Sequence, residues 1–265
     1  FCSMQLDLYD HRAKEVLPEL IKVLEESSDS ELQLATKLLS EWDFCATTES
    51  IAACLYYPFL DRFWQRKFMY TVLKDDLVNL LPLGAPGLNR FDISSFLMTD
   101  SPWEDHQLLL KTTIQEEMRK VVDRVKFSLG SNHSKWRWGD LHKIQFWHSL
   151  SKHNTWQKLK VGPDDIGGSA TTLGMSLHIG KGPGATLNNE VPCRVYHGPA
   201  YRLVVDLADP DHAKFVIAGG NGGRPDSEFC LNQYSQWLKG QFFTLNLNRK
   251  EVDQYAVWQF NKPNN

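Results

Sequence analysis

The chain has 265 residues, 42% of them hydrophobic and 23% charged, with a net charge of −3. That is enough chain for one large core or two smaller ones, in an ordinary globular composition. The slight acidity argues against nucleic acid as a partner, and no apolar run reaches the ~18 residues that cross a bilayer.

In chain order, helices come first. Val16, Leu17, Leu20, Ile21, Val23 and Leu24 give Tyr9–Glu26 a helix-period stripe, with Pro18 predicting either a start or a kink. Ser28-x-x-Glu31 reads as a capping box for a second helix carrying Leu32, Leu34, Ala35, Leu38 and Leu39 to Trp42. Glu49–Leu80 is long, aromatic and amphipathic, interrupted at Pro58, and Leu81–Gly87 breaks it. Ser101-Pro-Trp-Glu104 predicts the next start, for a helix running through Leu108-Leu-Leu110, Ile114, Met118, Val121, Val122 and Val125 to Gly130. The period then shortens toward strands. Tyr201–Leu207 fits a buried strand, Ala208-Asp-Pro-Asp211 a turn, and Ala213–Ala218 a second strand. Gly219-Gly-Asn-Gly-Gly223 follows, a cluster that permits backbone geometries forbidden by a Cβ. Tyr255–Phe260 is a further strand candidate. Helices before strands predict an α+β protein, mainly helical over residues 1–130 and mainly β over 131–265.

Metal and cofactor chemistry finds little support. The five cysteines (Cys2, Cys45, Cys54, Cys193, Cys230) show no Cys-x-x-Cys spacing. One disulfide in an exported protein and buried free thiols both remain open. His142 and His148 stand beside Trp136, Trp138, Trp147 and Trp156, but without the spacing or carboxylate of a His-Glu-x-x-His site. His133 and His153 add no pattern. A core histidine, with His142 fixing a loop by hydrogen bonding, is the simpler expectation. The glycine cluster lacks the Gly-Lys-Ser/Thr ending of a phosphate loop, and nothing is arranged as an EF-hand. No cofactor and no metal are expected in these residues.

The hairpin with its glycine loop resembles the C-terminal signature of the penicillin acylase family of N-terminal-nucleophile (Ntn) amidohydrolases. Trp138-Gly139-Asp-Leu-His142, with Phe146-Trp-His148, is similar to that family's Trp-Gly-x-x-His element. Gly219–Gly223 with Ser227, Gln233, Trp237 and Gly240 follows its glycine loop, Gln, Trp-x-x-Gly order. Met4-Gln-Leu-Asp7 and Leu39-x-x-Trp42-Asp43 resemble landmarks bounding two of its helices.

The resemblance implies a partial αββα sandwich with a large helical insertion. It also implies hydrolysis of an N-acyl amide, either a β-lactam side chain or an acyl-homoserine lactone. That chemistry uses an N-terminal Ser, Thr or Cys as nucleophile and its own α-amine, of pKa about 7.7–8.0, as base. Phe1 has no such side chain, and Met4–Asp7 resembles a landmark deep in the family's β-chain. The expectation is therefore a C-terminal part of a β-chain, inactive alone, with nucleophile and oxyanion hole upstream. Its partners would be the remainder of the same precursor, cleaved by autoprocessing, and a small acyl-amide substrate. A structural calcium, with ligands mostly upstream, and a periplasmic or secreted location also follow from the resemblance.

Three residues are candidates for supporting roles. Asp206 occupies a place where a carboxylate can orient a histidine near the nucleophile by a charge-assisted hydrogen bond; capping a turn is its other reading. Arg202 pairs with such an acid or makes a plain structural ion pair, and His142 supports the site or only the core. Leu, Trp and Phe of the Tyr56–Tyr70 helix line an acyl pocket, or the aromatics there belong to the core. Departures from the family pattern are Gly222 for its Ser, Ser227-Glu-Phe229-Cys230 for Ser-Pro-His-Tyr, and Phe243-Thr-Leu245 and His148-Ser-Leu150 for His-Pro-Leu. They keep open a non-catalytic relative acting as a scaffold or binding module. A histidine-based metallohydrolase is a third reading, requiring stoichiometric metal.

Overall fold

The first helix begins where a short acidic side chain meets an apolar stripe. In the computed structural model, which describes residues 1–60, 107–147, 160–178, 193–224 and 226–255, Asp10 is the N-cap of α1 (His11–Glu25), and its Oδ1 accepts the Ala13 N–H at 2.9 Å. The helix continues through Pro18, so the proline marks neither its start nor its end. α2 (Ser30–Ser40) is capped by Asp29, one residue later than the expected Ser28: the Asp29 carboxylate accepts from both Glu31 N and Leu32 N. A charged acceptor at a helix N-terminus gains from the helix dipole, which a hydroxyl does not match. α3 (Ala53–Pro58) and α4 (Gln107–Leu129) follow. α4 stops at Gly130, whose φ of 86° and N–H bond to Lys126 O form a left-handed cap. The breaker Leu81–Gly87, the start Ser101–Glu104 and most of Glu49–Leu80 lie outside the described residues.

Two compact units form: a larger one over Asp7–Gly198 and a smaller one joining Phe1–Leu6 to Pro199–Asn265. In the larger, Val16, Leu17, Leu20 and Leu24 of α1 share a core with Leu32, Ala35 and Leu39 of α2 and Leu110, Ile114, Met118, Val121 and Val122 of α4. Each of the Val, Leu, Ile and Met side chains contributes about 1.5–3 kcal/mol of burial. The stripe on α4 starts at Leu110, since Leu108 is 80% exposed. After the four-residue helix α5 (Trp138–Leu141) come β1 (His142–Trp147), β2 (Lys160–Asp165), β3 (Leu177–His178) and β4 (Cys193–His197). They order as β2-β1-β4-β3, with β1 and β4 parallel and the other pairs antiparallel.

The smaller unit holds β5 (Tyr201–Asp206), β6 (Asp209–Ile217), α6 (Tyr234–Leu238), β7 (Phe243–Leu245) and α7 (Arg249–Tyr255). Its sheet is antiparallel in the order β5-β6-β7. The β5–β6 turn is tighter than expected: Asp206 pairs with Asp209, leaving Leu207 and Ala208 as the turn, so Asp209-Pro-Asp211 already belongs to β6. Pro210 is tolerated because β7 pairs only with Ala213–Phe215, beyond it. Tyr255 ends a helix rather than opening a strand; residues 256–260 lie outside the described set. The described elements mix helix and sheet as an α+β chain does. The strands all follow α4, whereas the compact units divide between Gly198 and Pro199. Among the described residues no helix is long and apolar enough to cross a membrane.

Candidate functional site

In the larger unit, the Trp-Gly-x-x-His spacing has a direct physical purpose. Trp138 and His142 flank one turn of α5, and residues four apart on a helix lie over each other. Their rings stack at 4.4 Å and 14°. Trp138 Nε1 donates to Gly168 O at 3.0 Å. Gly139 is needed because a Cβ there would lie 3.0 Å from Thr48 Cβ and 3.1 Å from Asp165 Cβ. The His142 ring is fully buried, with Nδ1 2.7 Å from Ile166 O and Nε2 3.1 Å from Ser176 O. A neutral imidazole has one N–H, and the shorter contact assigns it to Nδ1. The two carbonyls favour the charged ring, but burial, followed by His178 at 5.0 Å, outweighs them and pushes the pKa down to about 3. His142 thus pins the segment Ile166–Ser176 to the start of β1.

Beside this stack lies a polar network that the sequence does not announce. Asp10, fully buried, caps α1 with Oδ1. Its Oδ2 accepts the Tyr57 hydroxyl at 2.9 Å, the Thr171 hydroxyl, and the Ser169 hydroxyl at 3.5 Å. Burial, then the Asp10 charge, pushes the Tyr57 hydroxyl well above its usual range, which keeps it a donor. Tyr57 packs 5.1 Å from Trp138 and 6.4 Å from His178, so stack and network are one assembly. Tyr56, Tyr57 and Phe59 are buried core aromatics; the Tyr56–Tyr70 stretch beyond Leu60 is outside the described residues. The sequence reading did not single out Asp10, whose only local signal is that of a helix cap. Ser169 and Thr171 carry no sequence signal, because their acceptor lies 159 and 161 residues away.

The smaller unit explains the signature hairpin. A Cβ on Gly220 would lie 2.1 Å from Phe229 O, and Gly222 N–H bonds the same oxygen at 2.9 Å. The glycine cluster therefore serves close backbone packing against residues 229–233. Gln233 ties both sides: its N–H reaches Gly219 O and its Oε1 accepts from Ile217 N. Trp237 Nε1 donates to Pro199 O at 2.8 Å, and Gly240, at φ 67°, leaves room for Leu6. Gln5 Nε2 bonds Leu203 O at 3.0 Å, which anchors the Met4–Leu6 turn to β5. Where the family has Ser, Gly222 leaves only 3.0 Å between an ideal Cβ and Ser227 Oγ.

Arg202 and Asp206 do not pair. Arg202 is 7% exposed, donates from Nη1 to Trp237 O at 2.6 Å and lies 4.8 Å over the Trp237 ring. Asp206 is exposed at the hairpin turn, where Oδ1 accepts from Ala208 N at 2.9 Å. His142 belongs to the other compact unit. His148 and His153 lie outside the described residues; His133 sits 6.4 Å from the Trp136 ring. The five cysteines, all among the described residues, form no disulfide, and Cys54 and Cys193 are buried. Among the described residues no three His, Cys, Asp or Glu side chains come together as a metal-holding group.

The sequence profile of the penicillin amidase family matches residues 1–254, and the chain belongs to that family. Among curated proteins, an acyl-homoserine lactone acylase QuiP of Pseudomonas syringae pv. syringae is 28% identical over 168 residues, 58% of this chain and 19% of that protein. Its counterpart in Pseudomonas fluorescens (strain Pf0-1) is 24% identical over 254 residues, 90% of this chain and 28% of that protein. The chain thus spans less than a third of the length of these relatives. Among solved structures, a thermostable penicillin G acylase from Alcaligenes faecalis has a TM-score of 0.49 at 12% identity, over 98% of this chain and 48% of that one.

Proposed function

We propose that this chain is part of a longer acylase that hydrolyses N-acyl amides, either a β-lactam side chain or an acyl-homoserine lactone. The observation that carries the reading is the family match over residues 1–254, and relatives named acyl-homoserine lactone acylases support it. In this reading the nucleophile and the donors that hold the oxyanion belong to a segment outside these residues. The nucleophile attacks the amide carbonyl, the amine leaves, and water hydrolyses the resulting ester. The present residues supply packing and positioning. His142, enclosed between two carbonyls, and Arg202, bonded to backbone, are positioning residues rather than catalytic ones. Asp206, exposed at its turn, is the one of the three accessible to a group from elsewhere in the protein.

The test uses the full-length parent. Release of amine from a chromogenic phenylacetyl amide and of homoserine lactone from a long-chain acyl derivative is assayed, with mass spectrometry of the chain termini. Cleavage before Ser, Thr or Cys together with turnover is expected. An uncleaved, inactive parent would overturn the acylase and leave the non-catalytic module, which the changes at Gly222, Phe229 and Phe243 favour.

A further inference from the structure

The sheet of the smaller unit carries its polar and apolar side chains on the wrong sides for a sheet with one wet face. Residues paired across an antiparallel ladder point to the same face, and the faces alternate along each strand. Tyr201 pairs with Ile217, Leu203 with Phe215, Phe215 with Phe243, and Ala213 with Leu245. These side chains share one face; none is charged, and the Tyr201 hydroxyl is its one polar group. The other face is mixed: Arg202 pairs with Val216, Val204 with Lys214, and Lys214 with Thr244. A half-solvated antiparallel sheet turns its apolar residues inward and its polar residues out. Here α6 covers the mixed face, where the Arg202 guanidinium meets the Trp237 carbonyl at 2.6 Å and lies 4.8 Å over the Trp237 ring. The wholly apolar face is the open one, with Tyr201 52% exposed, Phe243 39% and Leu245 36%. Leu203, Phe215 and Ile217 are half-buried between them, and the Tyr201 and Phe215 rings meet edge to face at 5.4 Å. It is a continuous surface, not a scatter of exposed side chains.

Size decides what covers it. At strand spacings of about 4.8 Å and rises of about 3.3 Å per residue, the face presents an area on the order of 250 Å². A stable free dimer buries about 800 Å² per partner, so a second copy would find too little to hold. Residues 256–265 contain one apolar stretch, Ala256-Val-Trp-Gln-Phe260, which has the width of one strand where three need cover. A layer belonging to the same folded protein escapes the translational and rotational cost of association, so a small apolar face is enough to seat it. The chain supplies ample room for such a layer elsewhere: its match to the Pseudomonas fluorescens (strain Pf0-1) relative covers only 28% of that protein.

We infer that the apolar face of the β5-β6-β7 sheet is the docking surface for an uncharged, apolar layer of secondary structure from the remainder of the longer protein. The face, not the side under α6, is then the true core side of this sheet, which accounts for the reversed pattern of its strands. The inference rests on the chain being part of a longer protein, as proposed above, but not on that protein's activity.

The test is hydroxyl-radical footprinting of the full-length protein without substrate, with its own proteolytic peptides as the fully exposed reference. Left open, Tyr201 and Phe243 would be oxidised at about half and two-fifths of the reference rate, following exposures of 52% and 39%. Covered, both should fall below about one-tenth of it, as core side chains do. Rates near the open values would overturn the inference. Protection lost on dilution would assign the face to a second copy. Protection gained only with a long-chain acyl amide would assign it to substrate, and protection lost on deleting residues 256–265 would assign it to the chain's own C-terminal residues. Each of these overturns the inference equally. A protected face in an uncleaved, inactive parent would refute the acylase and support the docking surface. A charge tests the same point. Phe243 and Thr244 are exposed neighbours on β7 that point to opposite faces. In the full-length protein Phe243→Asp should lower Tm by at least ~3 °C more than Thr244→Asp, because it places a carboxylate against apolar side chains. Equal shifts would overturn the inference. Should Phe243→Asp fail to accumulate, the wild-type footprint decides alone.

Discussion

Replacing Asp10 by Ala tests whether the buried network holds the larger unit together. The substitution removes the N-cap acceptor of α1, which is worth about 1 kcal/mol. It also strands the Tyr57 hydroxyl, a buried donor whose acceptor at 2.9 Å disappears, for a further cost of about 1–3 kcal/mol. The Thr171 hydroxyl keeps Ser169 Oγ at 3.0 Å, so it adds little. The sum is about 2–4 kcal/mol, read as a lowered midpoint in equilibrium urea unfolding followed by tryptophan fluorescence. Asp10→Asn keeps one acceptor oxygen and should cost about half as much. In a double-mutant cycle Tyr57→Phe, which removes the stranded donor, should recover on the order of 1 kcal/mol of the Asp10→Ala loss. Additive effects of Asp10→Ala and Tyr57→Phe, or a loss below about 1 kcal/mol for Asp10→Ala, would refute the reasoning.

Three further outcomes are expected. Gly220→Ala forces a Cβ to 2.1 Å from Phe229 O, while Gly223→Ala meets nothing within 4 Å; thermal melts should show a loss of about 2–4 kcal/mol for the first and under about 0.5 kcal/mol for the second. His142 has a folded pKa of about 3 against about 6.5 unfolded. Its contribution is complete above pH 6.5 and is lost on acidification, by up to about 1.4 kcal/mol per pH unit. A urea series at pH 7, 6 and 5 should show that slope weakened in His142→Asn. Leu20→Ala empties a fully buried position shared by three helices and should cost about 2–5 kcal/mol by the same unfolding assay.

What the sequence revealed and what it hid divide along a physical line. The α1 stripe was readable because burial of Val16, Leu17, Leu20 and Leu24 repeats with the helix period. The Gly130 stop was readable because a left-handed cap is a local demand. Errors came where two residues offered the same local chemistry: Ser28 and Asp29 both suit a cap, and the Asp-Pro-Asp run suggests a turn although the strand ladder claims it. The Asp10 network was hidden because its partners are set by tertiary packing, Tyr57 lying 47 residues away and Thr171 161 residues away. Arg202 stood out as a cation in an apolar strand, but an ion pair was the natural guess. A backbone carbonyl and a tryptophan ring, its actual partners, have no signature in one dimension. Shared landmarks such as Trp138-Gly139-x-x-His142 were visible, and their purpose came only with the geometry.

The smaller unit draws one piece from residues 1–6 and the other from Pro199 onward, joined by the bond from Gln5 Nε2 to Leu203 O across 198 residues. During vectorial synthesis, at about 5–20 residues per second, the Asp7–Gly198 unit is complete before β5 exists. Met4, Gln5 and Leu6 must then wait ten seconds or more for their partners at ~20 residues per second. The order of assembly is set by topology: helices α1, α2 and α4 can close early, and the hairpin can capture its N-terminal turn only at the end. A chain arrested near residue 198 would carry a folded helical unit with residues 1–6 still unpaired, which makes those six residues the sensitive reporter of late folding.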